Sequence, residues 1–315
     1  MKKVELHLHL DGSVRESTIA ELLGVNEKDI ENMLHASDFN CDLKEYLTKF
    51  DMPLKVMQTK ENLSRIAMEL GEDLEKDDII YAEVRFAPQL HTKNGLSYDD
   101  IVLSVIEGFK KCNIKINVIL CMMRGASYIN NLKTIEVAEK YLNKVVVALD
   151  LAGDEKHFKT KDYEELFKVA KEKNIPFTIH AGEADNANSV LDAISFGAKR
   201  IGHGIRIIDD NDAIDEVIKN KVTLEVCPTS NFQTKAVEIY KNHPIKKLYE
   251  KGVLITVSTD NNTVSNTTLS LEYERLRSYF DFTDNDFLTF NINAINAAFI
   301  SDLEKKKYIK ILKGD

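Results

Sequence analysis

VELHLHLDGS (residues 4–13) places two histidines, His7 and His9, in an otherwise apolar run that begins at the fourth residue. Successive side chains on a strand point to opposite faces, so an extended H-x-H segment presents both imidazoles on one face. Taken alone, the pair reads equally as two core histidines satisfied by backbone or carboxylate, or as half of a metal site. The other strands, and what stands at their ends, decide between these.

Working outward, seven further β-rich runs recur: IIYAEVRFAP (79–88), KINVILCMM (115–123), VVVALDLAG (145–153), PFTIHAGE (176–183), RIGHG (200–204), TLEVCP (223–228) and VLITVSTD (253–260). Helical patterns lie between most of them. In ENLSRIAMELGEDLEK (61–76), Leu63, Ile66, Ala67, Leu70 and Leu74 fall on one face, the spacing of an amphipathic helix. DYEELFKVAKEK (162–173) repeats it with Tyr163, Leu166, Phe167 and Ala170. Strands alternating with helices predict a parallel sheet. Eight such strands in 315 residues predict an α/β protein of the (β/α)8 TIM-barrel class. The alternative, an open doubly wound sheet, normally carries a Gly-rich phosphate loop after strand 1, and none is present. The long connection between strands 1 and 2 (11–78) reads as extra helices. There Leu43, Tyr46, Leu47 and Phe50 recur at i, i+3, i+4 and i+7, which predicts a helix with an apolar stripe.

Composition narrows the function classes. Hydrophobic residues make up 43% and charged residues 30%, with a formal net charge of −9, the profile of a folded globular protein. A nucleic-acid partner is not expected, because no dense Lys/Arg stripe appears; LEKKKYIKILKGD (303–315) reads as a solvated helix face. No apolar run is long enough for a bilayer, so no membrane partner is expected. Strand-like residues begin at once, so no secretory leader is expected. Cys41, Cys112, Cys121 and Cys227 form no CxxC pair and read as reduced, mostly buried thiols in a cytoplasmic protein. Without repeats or linker-like segments, residues 1–315 read as one domain. The sequence does not fix an oligomeric state.

The chemistry gathers at strand ends. His7, His9 and Asp11 close the first strand, His180-Ala-Gly-Glu183 the fifth, His203 the sixth and Asp260 the eighth. C-terminal ends of barrel strands converge on one mouth, where barrel enzymes keep their active sites. Three neutral imidazoles and one carboxylate (His7, His9, His180, Asp260) suit a Zn²⁺ site with an open position, one ion per chain. Zinc acidifies water to a pKa of about 7. His203 is then a candidate to orient or deprotonate that water, and Glu183 a candidate acid if burial raises its pKa.

The motifs HLHLDGS (7–13), FDMP (50–53), YAEVRFAP (81–88), CMMR (121–124), DLAGDE (150–155), HAGE (180–183), GHG (202–204), CPTSN (227–231), STD (258–260) and EY (272–273) resemble the adenosine deaminase family, in family order over nearly the whole chain. The resemblance implies a (β/α)8 barrel and zinc-dependent hydrolytic deamination of adenosine and 2′-deoxyadenosine, with ammonia released. It implies that His7, His9, His180 and Asp260 hold zinc, that Glu183 protonates purine N1, and that His203 holds the attacking oxygen and stabilises its addition at C6. It also implies that the Gly153 N–H meets purine N3, that Asp11, with His9 nearby, meets the ribose 5′-hydroxyl, and that the 43–50 helix roofs the purine pocket.

One position departs from the common pattern. Many members carry a second Asp after the metal-binding one, whereas this chain reads Asp260-Asn261-Asn262. Purine N7 is an acceptor and an Asn amide donates directly, so Asn261 is expected to keep that contact. Two other substrates remain in view, free adenine and a modified adenosine; adenine-acting relatives typically read Glu-Gly where this chain reads Asp11-Gly12. Two-metal relatives place a bridging lysine at the end of strand 4, whereas here Lys156 lies beyond that end.

Overall fold

The computed structural model describes residues 1–38, 41 and 43–314. Its eight strands are β1 (Lys3–His9), β2 (Ile79–Phe86), β3 (Lys115–Met123), β4 (Val146–Ala152), β5 (Thr178–Ala181), β6 (Arg200–His203), β7 (Thr223–Val226) and β8 (Leu254–Val257). They pair in parallel as β1-β2-β3-β4 and β5-β6-β7-β8. Two parallel bridges, Leu149↔Phe177 and Leu8↔Asp260, join these halves on both sides. The result is the expected α/β barrel.

Several strands are shorter than their sequence runs. The fifth stops at Ala181 and the eighth at Val257, so Glu183 and Asp260 lie just past strand ends rather than in them. Asp260 takes a left-handed backbone with φ 65° and His203 one with φ 62°, conformations that cost L-residues roughly 1–3 kcal/mol and cluster at functional sites. Both residues still pair with the neighbouring strand, His203 with Ala181 and Asp260 with Leu8. The seam runs through the same place: the Asp260 N–H donates to the His7 carbonyl (2.9 Å) and its carbonyl accepts from the His9 N–H (2.7 Å).

The connection from β1 to β2 is helical, as expected, with helices Glu16–Leu23, Glu27–Leu34, Leu43–Thr48, Asp51–Val56 and Lys60–Lys76. The stripe over 43–50 is not one helix: Leu43, Tyr46 and Leu47 lie in Leu43–Thr48, the chain turns at residues 49–50, and Phe50 stands just before Asp51–Val56. Lys60–Lys76 buries the expected Leu63, Ile66, Ala67, Leu70 and Leu74. Among the described residues no helix is long and apolar enough to cross a membrane. Cys41, Cys121 and Cys227 are buried and Cys112 is only partly buried.

Aliphatic residues of one parity on the strands, such as Leu6, Leu8, Val84 and Leu149, belong to the apolar core. The other parity carries charge. Fully buried Arg85 donates to Asp150 (2.7 Å) and Glu225 (2.8 Å), and Arg200 donates to Glu225 (2.6 Å) and Glu83. Buried charges persist only when paired and hydrogen-bonded, and this network supplies fixed carboxylates directly beneath the strand ends.

Candidate active site

His7, His9, His180 and Asp260 come together as the sequence predicts, with one ligand atom from each lying within 4.8 Å of the others. His9 Nε2 stands 3.2 Å from His180 Nε2, and Asp260 Oδ1 stands 3.4 Å from Nε2 of both His7 and His9. A tetrahedron of metal–ligand bonds of about 2.0–2.1 Å has edges of about 3.3 Å, so the spacing fits a transition metal. His7 Nε2 is buried without a hydrogen-bond partner, an orphaned lone pair that faces two more imidazole nitrogens and a carboxylate, the donor set that could hold a cation.

The charge network fixes the orientation of these candidate ligands. His7 Nδ1 donates to Glu225 Oε2 at 2.8 Å, which leaves Nε2 bare for a metal. His180 Nδ1 lies 2.9 Å from Asp150 Oδ2. Burial pushes Glu225 and Asp150 up, but Arg200 and Arg85 on Glu225, and His180 and Arg85 on Asp150, hold both carboxyls well below their ordinary values. Burial also keeps His9 well below the usual imidazole value, the neutral state that a ligand needs. Ser230 Oγ donates to Asp260 Oδ2 at 2.6 Å. Gly202 gives His7 room, since a Cβ there would stand 2.8 Å from His7 Cε1. A second group, His7, His203 and Cys227, shares His7; burial pushes the Cys227 thiol well up.

Glu183 and His203 stand beside the donor set, with Glu183 Oε2 3.6 Å from His203 Nε2. Thr234 donates to Glu183 Oε1 at 3.0 Å. Burial, with Asp260 and Glu155 nearby, pushes the Glu183 carboxyl up to about 7. Burial pulls His203 down to about 4.

Glu183 lines a cavity of about 730 Å³ between the Leu43–Thr48 helix and the barrel mouth, within the usual range for small-molecule sites. Asp11 and Gly153 line a second cavity of about 170 Å³ with His9, Phe50 and Leu54. Leu47 borders both. Burial raises Asp11 to about 7, and its Oδ1 is buried without a partner, a group awaiting a hydrogen bond. Gly153 has φ 102°, which favours glycine. Asn261 is turned to Tyr46 of the roof helix, to whose hydroxyl it donates at 2.8 Å. Lys156 lies on the wall of the larger cavity, outside the donor set.

The DLAGDE motif also carries Glu155, to which the sequence alone gives no role. Its buried carboxylate accepts the backbone N–H groups of Gly182 (2.6 Å), Glu183 (3.0 Å), Ala184 (2.7 Å) and Asp185 (3.1 Å), and the Ser189 hydroxyl (2.5 Å). The four backbone donors belong to the loop that carries Glu183, and Ser189 to the helix that follows it. Glu155→Gln sets an amide N–H₂ against backbone donors. It is expected to cost about 2 kcal/mol of stability, read as a Tm lowered by a few degrees, together with a fall in kcat. An unchanged Tm would remove Glu155 from this role.

The family model described as adenosine deaminase matches residues 2–313. A curated adenosine deaminase of Clostridium botulinum (strain Langeland) is 44% identical over 331 residues, covering 100% of this chain and 98% of that protein. The crystal structure of an Arabidopsis N6-mAMP deaminase superposes with a TM-score of 0.91 at 25% identity, covering 100% of this chain and 98% of that one. An adenine deaminase from Arthrobacter aurescens superposes with a TM-score of 0.86 at 22% identity, covering 99% and 98%; that likeness concerns the fold alone.

Proposed function

The chain belongs to the adenosine deaminase family, and from that premise we propose how its residues share the hydrolysis of adenosine and 2′-deoxyadenosine to inosine and 2′-deoxyinosine, with ammonia released. The observation that carries the assignment of roles is the buried, raised carboxyl of Glu183 beside His203 and the four-donor set. Residues 1–315 act as one barrel domain.

His7, His9, His180 and Asp260 hold one zinc ion per chain. Bound there, zinc supplies the Lewis acidity that makes water nucleophilic near neutral pH. His203 holds the attacking oxygen and stabilises charge that develops on it at C6. Glu183 delivers a proton to purine N1, which breaks the ring's aromaticity in the direction that favours addition at C6. The adduct's hydroxyl proton then passes to the 6-amino group as the C6–N bond breaks, so that C6 becomes a carbonyl, N1 keeps its hydrogen and ammonia leaves. Gly153 offers its N–H to N3. Asn261 keeps one amide hydrogen on Tyr46 and offers its second to N7. Asp11, with His9 beside it, takes the ribose 5′-hydroxyl. Leu47 and Phe50 cover the purine and keep water out.

The direct test is purified, zinc-loaded protein with adenosine, followed by the ultraviolet change that accompanies loss of the 6-amino group and run beside adenine. Turnover of adenosine alone is expected; turnover of adenine alone would move the substrate to the free base. Asp11 separates the two readings, since adenine has no ribose. Asp11→Ala is expected to raise KM for adenosine roughly 10- to 100-fold, the loss of one charge-assisted hydrogen bond, and to leave any adenine activity unaltered. Equal losses on both substrates would take Asp11 out of ribose recognition.

A further inference from the structure

His203 is reached from behind by a chain of hydrogen bonds whose direction can be read from one end. The Ile245 backbone N–H lies 3.1 Å from His243 Nδ1. A backbone amide only donates, so His243 Nδ1 must accept, and its ring hydrogen sits on Nε2. That nitrogen is 3.2 Å from Asn231 Oδ1. With its carbonyl facing a donor, Asn231 turns its amide nitrogen to His203 Nδ1, 2.9 Å away. An amide nitrogen also only donates. His203 Nδ1 therefore accepts, and the ring hydrogen of His203 sits on Nε2, the nitrogen that faces Glu183. His203, Asn231 and His243 are all buried, at 1%, 0% and 3% exposed, so water does not compete freely for these bonds.

We infer that Asn231 and His243 are positioning residues which fix His203 in its neutral Nε2–H tautomer, so that His203 enters the reaction as a hydrogen-bond donor and not as a base. A base acting through Nε2 needs a free lone pair there, and the chain of bonds places a hydrogen in its stead. A donor aimed at the reacting oxygen stabilises the negative charge that gathers on it. The choice between orienting and deprotonating water, open in the sequence, falls to orienting. The Asn of CPTSN and the His of KNHPIKK thereby gain a role that neither metal binding nor substrate contact gives them. This inference rests on reading the site as a deaminase centre.

The test reads the ring itself. Zinc-loaded protein labelled with ¹⁵N-histidine is examined without substrate by long-range ¹H–¹⁵N correlation, with His203→Gln used only to assign the His203 signals. Nδ1 of His203 is expected to be pyridine-like and Nε2 pyrrole-like. The reverse pattern, or an imidazolium at neutral pH, overturns the inference, whatever any variant does. Asn231→Asp presents two acceptor oxygens and demands a hydrogen on His203 Nδ1; it is expected to change the ring pattern and lower kcat by about 10²–10³-fold with KM little altered. His243→Leu frees the Asn231 amide to turn over and is expected to mix the tautomers and lower kcat about tenfold, with His243→Gln, which can still donate to Asn231, recovering part of the loss. An unchanged ring pattern in Asn231→Asp overturns the inference as well. The expected pattern in a protein that leaves adenosine untouched would sink the deaminase reading while leaving the tautomer assignment standing.

Discussion

Glu183→Gln lowers kcat for adenosine by about 10²–10⁴-fold, the usual worth of a positioned general acid, with KM changed little. The side chain keeps its size, and Gln still offers a carbonyl oxygen to the Thr234 hydroxyl that now bonds Glu183 Oε1 at 3.0 Å. What it loses is the acidic proton. In the native site burial raises the carboxyl to about 7, so a large share of molecules carries that proton at neutrality, where an ordinary exposed Glu would carry almost none. Adenine and adenosine rings accept nucleophiles poorly until N1 is protonated, so the loss belongs to the chemical step and appears in kcat. Metal content and Tm of the variant should match the native protein. A variant with native kcat would end the role given to Glu183. A variant that lost its metal would show instead that Glu183 supports the donor set.

Much of this site was legible in the sequence because strand periodicity and barrel topology act together. An H-x-H strand fixes two ligands on one face, and the (β/α)8 order forces His180, His203 and Asp260 to the same mouth; the structure brings all of them there. What escaped was what holds them. Nothing in the sequence marks Glu225 and Asp150 for that task, because their partners Arg85 and Arg200 lie 140, 65 and 25 residues away in the chain. No local period encodes such a pairing. Glu155 escaped for a related reason: its partners are backbone N–H groups, which have no sequence identity. Charged residues at one parity of an otherwise aliphatic strand were the available signal, and in a closed barrel they report an ion network beneath the ligands. The roof shows a different limit. The 43–50 spacing has the period of one helix, yet the chain turns at residues 49–50 and divides it, because tertiary packing overrides a short periodic stripe.

Removing the metal abolishes deamination and also loosens the barrel at its seam. Three of the four donors lie where β1 meets the residues after β8, and Asp260 itself makes both backbone bonds across that seam. Without a cation, His7 Nε2 is buried and unpartnered, His9 and His180 set nitrogens 3.2 Å apart, and the Asp260 carboxylate lacks its counter-charge. Such groups each cost about 1–3 kcal/mol when buried and unsatisfied. A ligand present at about 1,000 times its Kd stabilises by about 4 kcal/mol, so dialysis against a chelator should lower Tm by on the order of 10 °C, and added zinc should restore both Tm and activity. Metal analysis of the reloaded protein should find one ion per chain. Two ions would revive a binuclear site; full activity after complete removal would end the metal reading. His180→Ala gives the same outcome by a separate route: it deletes one donor and takes from the Asp150 carboxylate a partner 2.9 Å away, leaving it Arg85 at 2.7 Å and the Leu151 N–H at 2.7 Å. Added zinc should then fail to restore the native Tm, which separates loss of the ligand from loss of the ion.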